Sequence, residues 1–255
     1  MTTVVNGDLK FGARTTRRAV GLLLAASKPS FKVLHLDQVV GPPIGSGFGA
    51  SAASATSAVY AAAAAMGITG TKRDFALFAH RAEITEQTGL GTVSVVYDGA
   101  GAGAIVVPGE PGAAEFLNVD VPKDTRIVTA CISPYDKKDA LSSGKVREKI
   151  NRLGDMALQG FLADPSIDTL AEEGERFSRN LGLETPEVRK LERVAKAAGA
   201  MYASQNMIGY AIHALVHASE AKKVADALSG LNPIVRVDVF EVGTNRAGVV
   251  QVTRR

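Results

Sequence analysis

Apolar residues recur along this chain at two spacings. Where they fall every three or four positions, or where strong helix formers run unbroken, the sequence predicts helices. The clearest is the alanine-rich tract 50–66, closed by Gly67. A second runs from Thr71 or Asp74 to Gln87 with Phe75, Phe78 and Ala82 on its buried face, and others follow at 144–161, 166–181, 186–202 and 219–228. Thr185 and Pro186 read as the N-cap and first helical residue of the helix at 186. An earlier apolar run at 19–26 predicts a helix capped by Thr15 or Thr16. Short apolar runs predict strands at 32–40, 93–97, 104–107, 126–132, 208–216 and 234–242, the second and third flanking a turn at 98–103. The chain is therefore α+β, and the turn-rich span 108–124 is the natural boundary between two domains, 1–122 and 123–255.

With 255 residues, 46% hydrophobic and 22% charged, the chain can bury a substantial core. Its net charge of +3 and pI near 9.0 suit anionic ligands. Lys and Arg are nevertheless dispersed, without a basic stripe interleaved with aromatics, so no nucleic-acid partner is expected. Cys131 is the single cysteine and lies in the apolar run 127–132, which predicts a buried strand thiol, no intrachain disulfide and a reducing, cytoplasmic setting. Arg17-Arg18 before 19–26 is too short an apolar pattern for an export signal, and no run reaches the roughly 18 residues that span a bilayer. A small-molecule substrate is expected, no membrane partner is, and a homodimer stays open.

Candidate chemistry begins at Gly41-Pro42-Pro43-Ile44-Gly45-Ser46-Gly47-Phe48-Gly49-Ala50-Ser51-Ala52. Alternating glycines let backbone N–H groups converge, and the first turn of the following helix adds unpaired donors and a positive dipole end, a combination that suits a polyphosphate. The alternative is a glycine-rich turn packed closely against a small-residue helix. A Walker loop is excluded because Ala50-Ser51 stands where Lys-Ser or Lys-Thr is required. The dinucleotide fingerprint fits Gly45, Gly47 and Ala50, but Pro42-Pro43 interrupts the strand-to-turn junction and no acidic residue ends a second strand near 68–74. His213 and His217 have helical metal-ligand spacing, yet they lack the metalloprotease glutamate and fall in a predicted strand, so a zinc site is rejected.

Pro-x-x-Gly-x-Gly-Phe-Gly-x-Ser-Ala-Ala resembles the second signature of the GHMP small-molecule kinases. Ala79-His80-Arg81-Ala82-Glu83 followed by Thr88-Gly89-Leu90-Gly91 is similar to the archaeal pantoate kinase branch. Pro108 to Pro111, Ser133 with Lys137 and Lys138, Phe177-Ser178 with Gly182-Leu183, and Ala203-Ser204-Gln205-Asn206-Met207-Ile208-Gly209 follow in the order of that branch, so the resemblance covers about residues 40–250. It implies a two-domain GHMP kinase fold, with a ribosomal protein S5 domain 2-like N-terminal domain and a ferredoxin-like C-terminal domain. It also implies ATP and Mg²⁺, and transfer of the γ-phosphoryl group to the terminal hydroxyl of pantoate in coenzyme A biosynthesis. Another hydroxy acid or isoprenoid alcohol as acceptor, or nucleotide binding without kinase activity, are the alternatives.

Residue by residue, the resemblance places phosphates on the backbone of Gly45, Ser46, Gly47, Phe48, Gly49, Ala50, Ser51 and Ala52, and Mg²⁺ on Ser51 and Glu83. Ser51 has a helix N-cap as its alternative role, and Glu83 without the resemblance reads more readily as a solvated helix residue. His80 either bonds substrate, orients the carboxylate or is a satisfied structural histidine, and Lys137 or Lys138 either meets a substrate carboxylate or is solvated. Two departures stand out. Thr92 occupies the position of an expected catalytic aspartate, and a threonine cannot accept a proton at neutral pH. The opening Met1-Thr2-Thr3-Val4-Val5-Asn6-Gly7 resembles a point after the family's Pro-Gly first motif, which predicts a chain lacking its first strand.

Overall fold

Close approach of three helices builds the first half of the molecule, and alanine makes that approach feasible. The structure is a computed structural model that describes residues 1–27, 29, 33–89, 91–99, 101–133, 144–207, 209–234, 236–243 and 247–251. The chain runs β1 (Thr2–Val5), α1 (Arg14–Ser27), β2 (His35–Gln38), α2 (Ala50–Met66), α3 (Lys72–Glu86), α4 (Thr92–Asp98), β3 (Ala102–Val107), β4 (Glu115–Val119) and β5 (Thr125–Ser133). It continues with α5 (Gly144–Ala163), α6 (Ile167–Leu181), α7 (Pro186–Ala197), β6 (Tyr202–Gln205), β7 (Tyr210–His217), α8 (Ala218–Ser229) and β8 (Arg236–Glu241).

Ala52, Ala55, Val59 and Ala63 of α2 share one core with Ala19, Val20 and Leu23 of α1 and with Ala76, Ala79 and Ala82 of α3. Small side chains let helix axes come together, so α1, α2 and α3 pack on one another. Local signals fix the ends. Gly67, at φ 65°, returns its N–H to the carbonyls of Ala63 and Ala64, closing α2 where the sequence predicts. Thr71 caps α3 in a reciprocal box with Asp74.

Four expectations are corrected. The run 93–97 is helix α4 rather than a strand. Gly91, at φ 113°, turns the chain so that its carbonyl accepts from Ser94 and Val95, and the helix then buries Val93 and Ser94 completely. The helix predicted at 186–202 stops at Ala197, because Gly199 at φ 116° breaks it and residues 202–205 join a sheet as β6. Thr15 and Thr16 do not cap α1. Both lie inside it and are buried, with Thr15 Oγ1 3.0 Å from Thr88 Oγ1. Strand β4, inside the span read as turns, pairs antiparallel with β3.

The second half follows a β-α-β-β-α-β pattern, with α5 and α6 preceding α7 in its first crossover, and strand order β6-β7-β5-β8, all antiparallel. Alternation along each strand gives the sheet two faces. Val128, Ala130, Ile212, Ala214 and Val216 pack with Val188, Leu191 and Ala195 of α7 and Ala221, Val224 and Leu228 of α8. The intervening residues, including Cys131 and His213, belong to the other face, and there the glycine loop comes down.

Ser46 is fully buried, with its Oγ 3.0 Å from the Cys131 Sγ, and the Arg236 guanidinium donates to the Gly41 carbonyl at the loop's entrance. Gly47 has φ 89°, and a Cβ there would fall onto the Asn206 carbonyl and 2.8 Å from the Asn206 Cβ. Reciprocally, a Cβ on Gly209 would lie 2.6 Å from the Ser46 carbonyl oxygen. Gly47→Ala therefore combines a left-handed backbone, about 1–2 kcal/mol, with overpacking, about 1–3 kcal/mol. The variant is expected to be destabilised by about 2–5 kcal/mol in urea unfolding; an unchanged midpoint would show that the loop does not rest on Asn206.

Candidate functional site

Three glycines with positive φ, Gly45 at 85°, Gly47 at 89° and Gly49 at 69°, carry the chain from Pro43 into α2. Gly49 is the N-cap residue, and no side chain caps the helix. The first-turn N–H groups of α2 are thus left to another partner, which is the condition under which a helix N-terminus takes an anion. Ser51 is the second residue inside the helix, so the N-cap reading of it is excluded.

Helix α3 brings Glu83 up against that first turn. Glu83 is 2% exposed, and burial pushes its pKa up to about 7, with the Val93 backbone N–H and the Ser51 hydroxyl acting in the opposite direction. Its Oε2 has no hydrogen-bond partner among the described residues. The turn after α3 closes over the carboxyl group. A Cβ on Gly89 would stand 2.8 Å from both carboxylate oxygens, so a larger residue there would push the carboxyl group aside. Thr92, opening α4, faces the loop, its Cγ2 3.1 Å from where a Gly49 Cβ would be.

Of the residues singled out from sequence, the structure brings together Gly49, Ser51, Glu83 and Thr92. His80 lies one turn before Glu83 and is partly buried. Burial pushes its pKa down, and the charged groups that reach it are Glu110 and Arg81. Lys137 and Lys138 lie outside the described residues. Asp98, the last residue of α4, accepts from the Gly112 N–H at 2.9 Å. His213 and His217 take separate partners, Asn206 and Asp124. Sequence reasoning missed Gly89 as the lid over Glu83, and Cys131, Asn206 and Gly209 as the floor under the loop. The signal for the floor was present, since Gly209 follows Asn206-Met207 between two strands.

A buried carboxyl group with an orphaned oxygen, next to a hydroxyl and an uncapped helix start, is strained by its own desolvation. A divalent cation relieves that strain, because it favours the carboxylate and accepts a hydroxyl as a further hard oxygen ligand. Mg²⁺ typically takes one or two carboxylates and fills its remaining positions with water and phosphate oxygens, so Glu83 and Ser51 beside the glycine loop fit that ion. The same arrangement can hold a phosphate chain on backbone N–H groups with the cation at its side.

Residues 14–99 match the family model described as the GHMP kinases N terminal domain. A pantoate kinase from Thermococcus kodakarensis is 32% identical over 214 residues, spanning 81% of this chain and 67% of that protein. A pantoate kinase from Methanospirillum hungatei is 31% identical over 175 residues, 68% of this chain and 56% of that protein. The chain thus spans between 56% and 67% of the length of these two relatives. A solved structure described as a phosphotransferase related to the CoA biosynthesis pathway superposes with a TM-score of 0.80 at 27% identity, over 96% of this chain and 79% of that one. On the combined ground of this matched segment, this level of identity and this shared fold, the chain belongs to the GHMP kinase family.

Proposed function

We propose that this protein is an ATP- and Mg²⁺-dependent kinase that transfers the γ-phosphoryl group of ATP to the terminal hydroxyl of pantoate, giving 4-phosphopantoate for coenzyme A biosynthesis. The observation that carries the phosphoryl-transfer part is the meeting of Ser51 and the buried Glu83 at the uncapped start of α2. The acceptor comes from the pantoate kinase relatives and is supported by the resemblance of the run from His80 to Glu83 to that branch. The division into domains 1–122 and 123–255 belongs to the same proposal, supported by one buried cluster drawn mainly from α1–α4 and another from β5–β8, α7 and α8. So does a cytoplasmic location; among the described residues no helix is long and apolar enough to cross a membrane.

In this reading the backbone N–H groups of 45–52 hold the phosphates, apart from that of Ser46, which donates to the Pro43 carbonyl at 3.4 Å, and Glu83 with Ser51 holds the cation. Mg²⁺ bound there would neutralise charge between the β- and γ-phosphates. Gly89 and the turn around it exclude water from the Glu83 carboxylate. Thr92 supplies no base, so rate enhancement rests on positioning and electrostatics, which dominate phosphoryl transfer.

Ser51→Ala and Glu83→Gln are each expected to lower turnover by about 100-fold and to weaken its Mg²⁺ dependence. Wild-type rates and metal response in both would remove the site. Glu83 also makes a prediction independent of activity. Its pKa is raised from 4.5 to about 7, so the folded protein keeps a proton that the unfolded chain releases, and stability falls as pH rises across that window. In metal-free buffer near pH 8, Glu83→Gln is expected to be more stable than the parent by about 1–3 kcal/mol, the difference vanishing near pH 4. Urea unfolding at both pH values checks it.

Pantoate is expected to be preferred over homoserine, mevalonate and galactose in a coupled ADP-release assay; preference for another of these keeps the family and overturns the acceptor. Thr92→Asp is expected to keep Mg·ATP affinity and to leave turnover equal or raised, by up to about 10²-fold if the carboxylate reaches the acceptor hydroxyl. Nucleotide binding that collapses in this variant would place residue 92 against phosphate instead.

A further inference from the structure

The floor under the glycine loop is a turn that the chain would not adopt unaided. Met207, between Asn206 and Gly209, sits at φ 52°, in the left-handed region that costs a side chain free energy. Hydrogen bonds hold the turn at its ends: Asn206 N–H donates to the Ala211 carbonyl at 2.8 Å, and Gly209 N–H donates to the Asn206 carbonyl at 2.9 Å. The Gln205 side-chain amide donates to the Gly209 carbonyl at 3.0 Å. The same Asn206 carbonyl is the atom that a Cβ on Gly47 would strike. The position of Asn206 therefore sets the position of Gly47.

Asn206 is only 6% exposed, so its side-chain amide needs an internal partner. That partner is His213, on the neighbouring strand β7, with Nδ1 2.8 Å from the Asn206 Oδ1. Burial disfavours the imidazolium, with Glu175 opposing, and in the neutral ring facing a carbonyl oxygen Nδ1 carries the proton. His213 is thus a donor built into the sheet, two side chains removed from the loop. Its strand is anchored on both sides, Thr129 of β5 and Ser204 of β6 being its register partners.

We propose that His213 is a positioning residue for nucleotide binding: by holding the Asn206 amide it fixes the Asn206 and Gly209 backbone, and through those contacts the Gly47 backbone of the loop that takes the phosphates. The inference rests on the phosphate-loop reading above but not on the identity of the acceptor. A displacement of about 1 Å in such a positioning element can cost about 10²-fold.

The test compares His213→Leu, which keeps bulk and removes the donor, with His213→Asn, which carries an amide N–H at the equivalent side-chain position. Affinity for the magnesium complex of a non-hydrolysable ATP analogue is measured by calorimetry without acceptor, and steady-state kinetics are measured alongside. His213→Leu is expected to weaken analogue binding by about 10-fold or more and to lower kcat/KM for Mg·ATP by about 10- to 100-fold, with KM for the acceptor unchanged within about twofold. His213→Asn is expected to recover most of the loss. Asn206→Ala should give the same pattern, and adding His213→Leu to it should do little more, because both act through one bond; this arm decides the matter if His213→Leu does not fold. Wild-type analogue affinity in His213→Leu, failure of His213→Asn to improve on it, or additive losses in the double variant would overturn the proposal. A parent that phosphorylates none of the acceptors but binds the analogue, with the variants showing the affinity pattern above, keeps the inference and removes the acceptor assignment. A parent that binds no nucleotide overturns both.

Discussion

Burying the Glu83 carboxyl group is the constraint around which the first half of the molecule is arranged. Taking a carboxylate out of water with one oxygen unpaired is unfavourable by several kcal/mol unless it is neutralised or given a counter-charge. The chain does it by drawing α3 tightly onto α2 and then bringing Gly89 over the top. Each step demands a particular residue type. Alanines at 52, 55, 76, 79 and 82 remove the bulk that would hold the helices apart, and Gly89 removes the Cβ that would strike the carboxylate. The result is a group whose pKa near 7 leaves it divided between two protonation states at neutral pH, and so responsive to an arriving cation.

The second half supplies a flat surface against which a loop of glycines can be held still. A glycine-rich segment is entropically costly to order, and its own side chains offer little with which to order it. Here the support comes from outside: Cys131 against Ser46, Arg236 against Gly41, and the Asn206 turn against Gly47. The face of the sheet opposite α7 and α8 does this work, so the hydrophobic packing that stabilises the sheet is separated from the polar contacts that place the loop.

Much of this was legible in the residues. The glycine alternation, the alanine helix with its closing Gly67, the helix start at Thr71 and the Thr185-Pro186 start are local signals, and local signals survive tertiary context. The run 93–97 did not, because valines at 93, 95 and 96 with Tyr97 satisfy a buried strand and a short helix alike, and Gly91 decides between them. Strand β4 was hidden because Phe116 and Leu117 are set among turn-forming residues. The pairing of Ser51 with Glu83 was reached through family resemblance, since 32 positions separate them and nothing local ties them together. The contact of Gly47 with Asn206 spans far more chain and left no pairwise trace in a single sequence.

That last contact also limits how this protein can change over evolutionary time. Most crowded packing can be repaired: when one side chain grows, a neighbour shrinks, and lineages drift through such exchanges. Between the loop and Asn206 and Gly209, shrinking a side chain does not clear the gap. Gly47 and Gly209 already lack side chains, and the nearest atoms across the gap are the Asn206 and Ser46 carbonyls, which every amino acid carries. Enlarging either glycine has no second-site remedy short of moving the main chain, and with it the site.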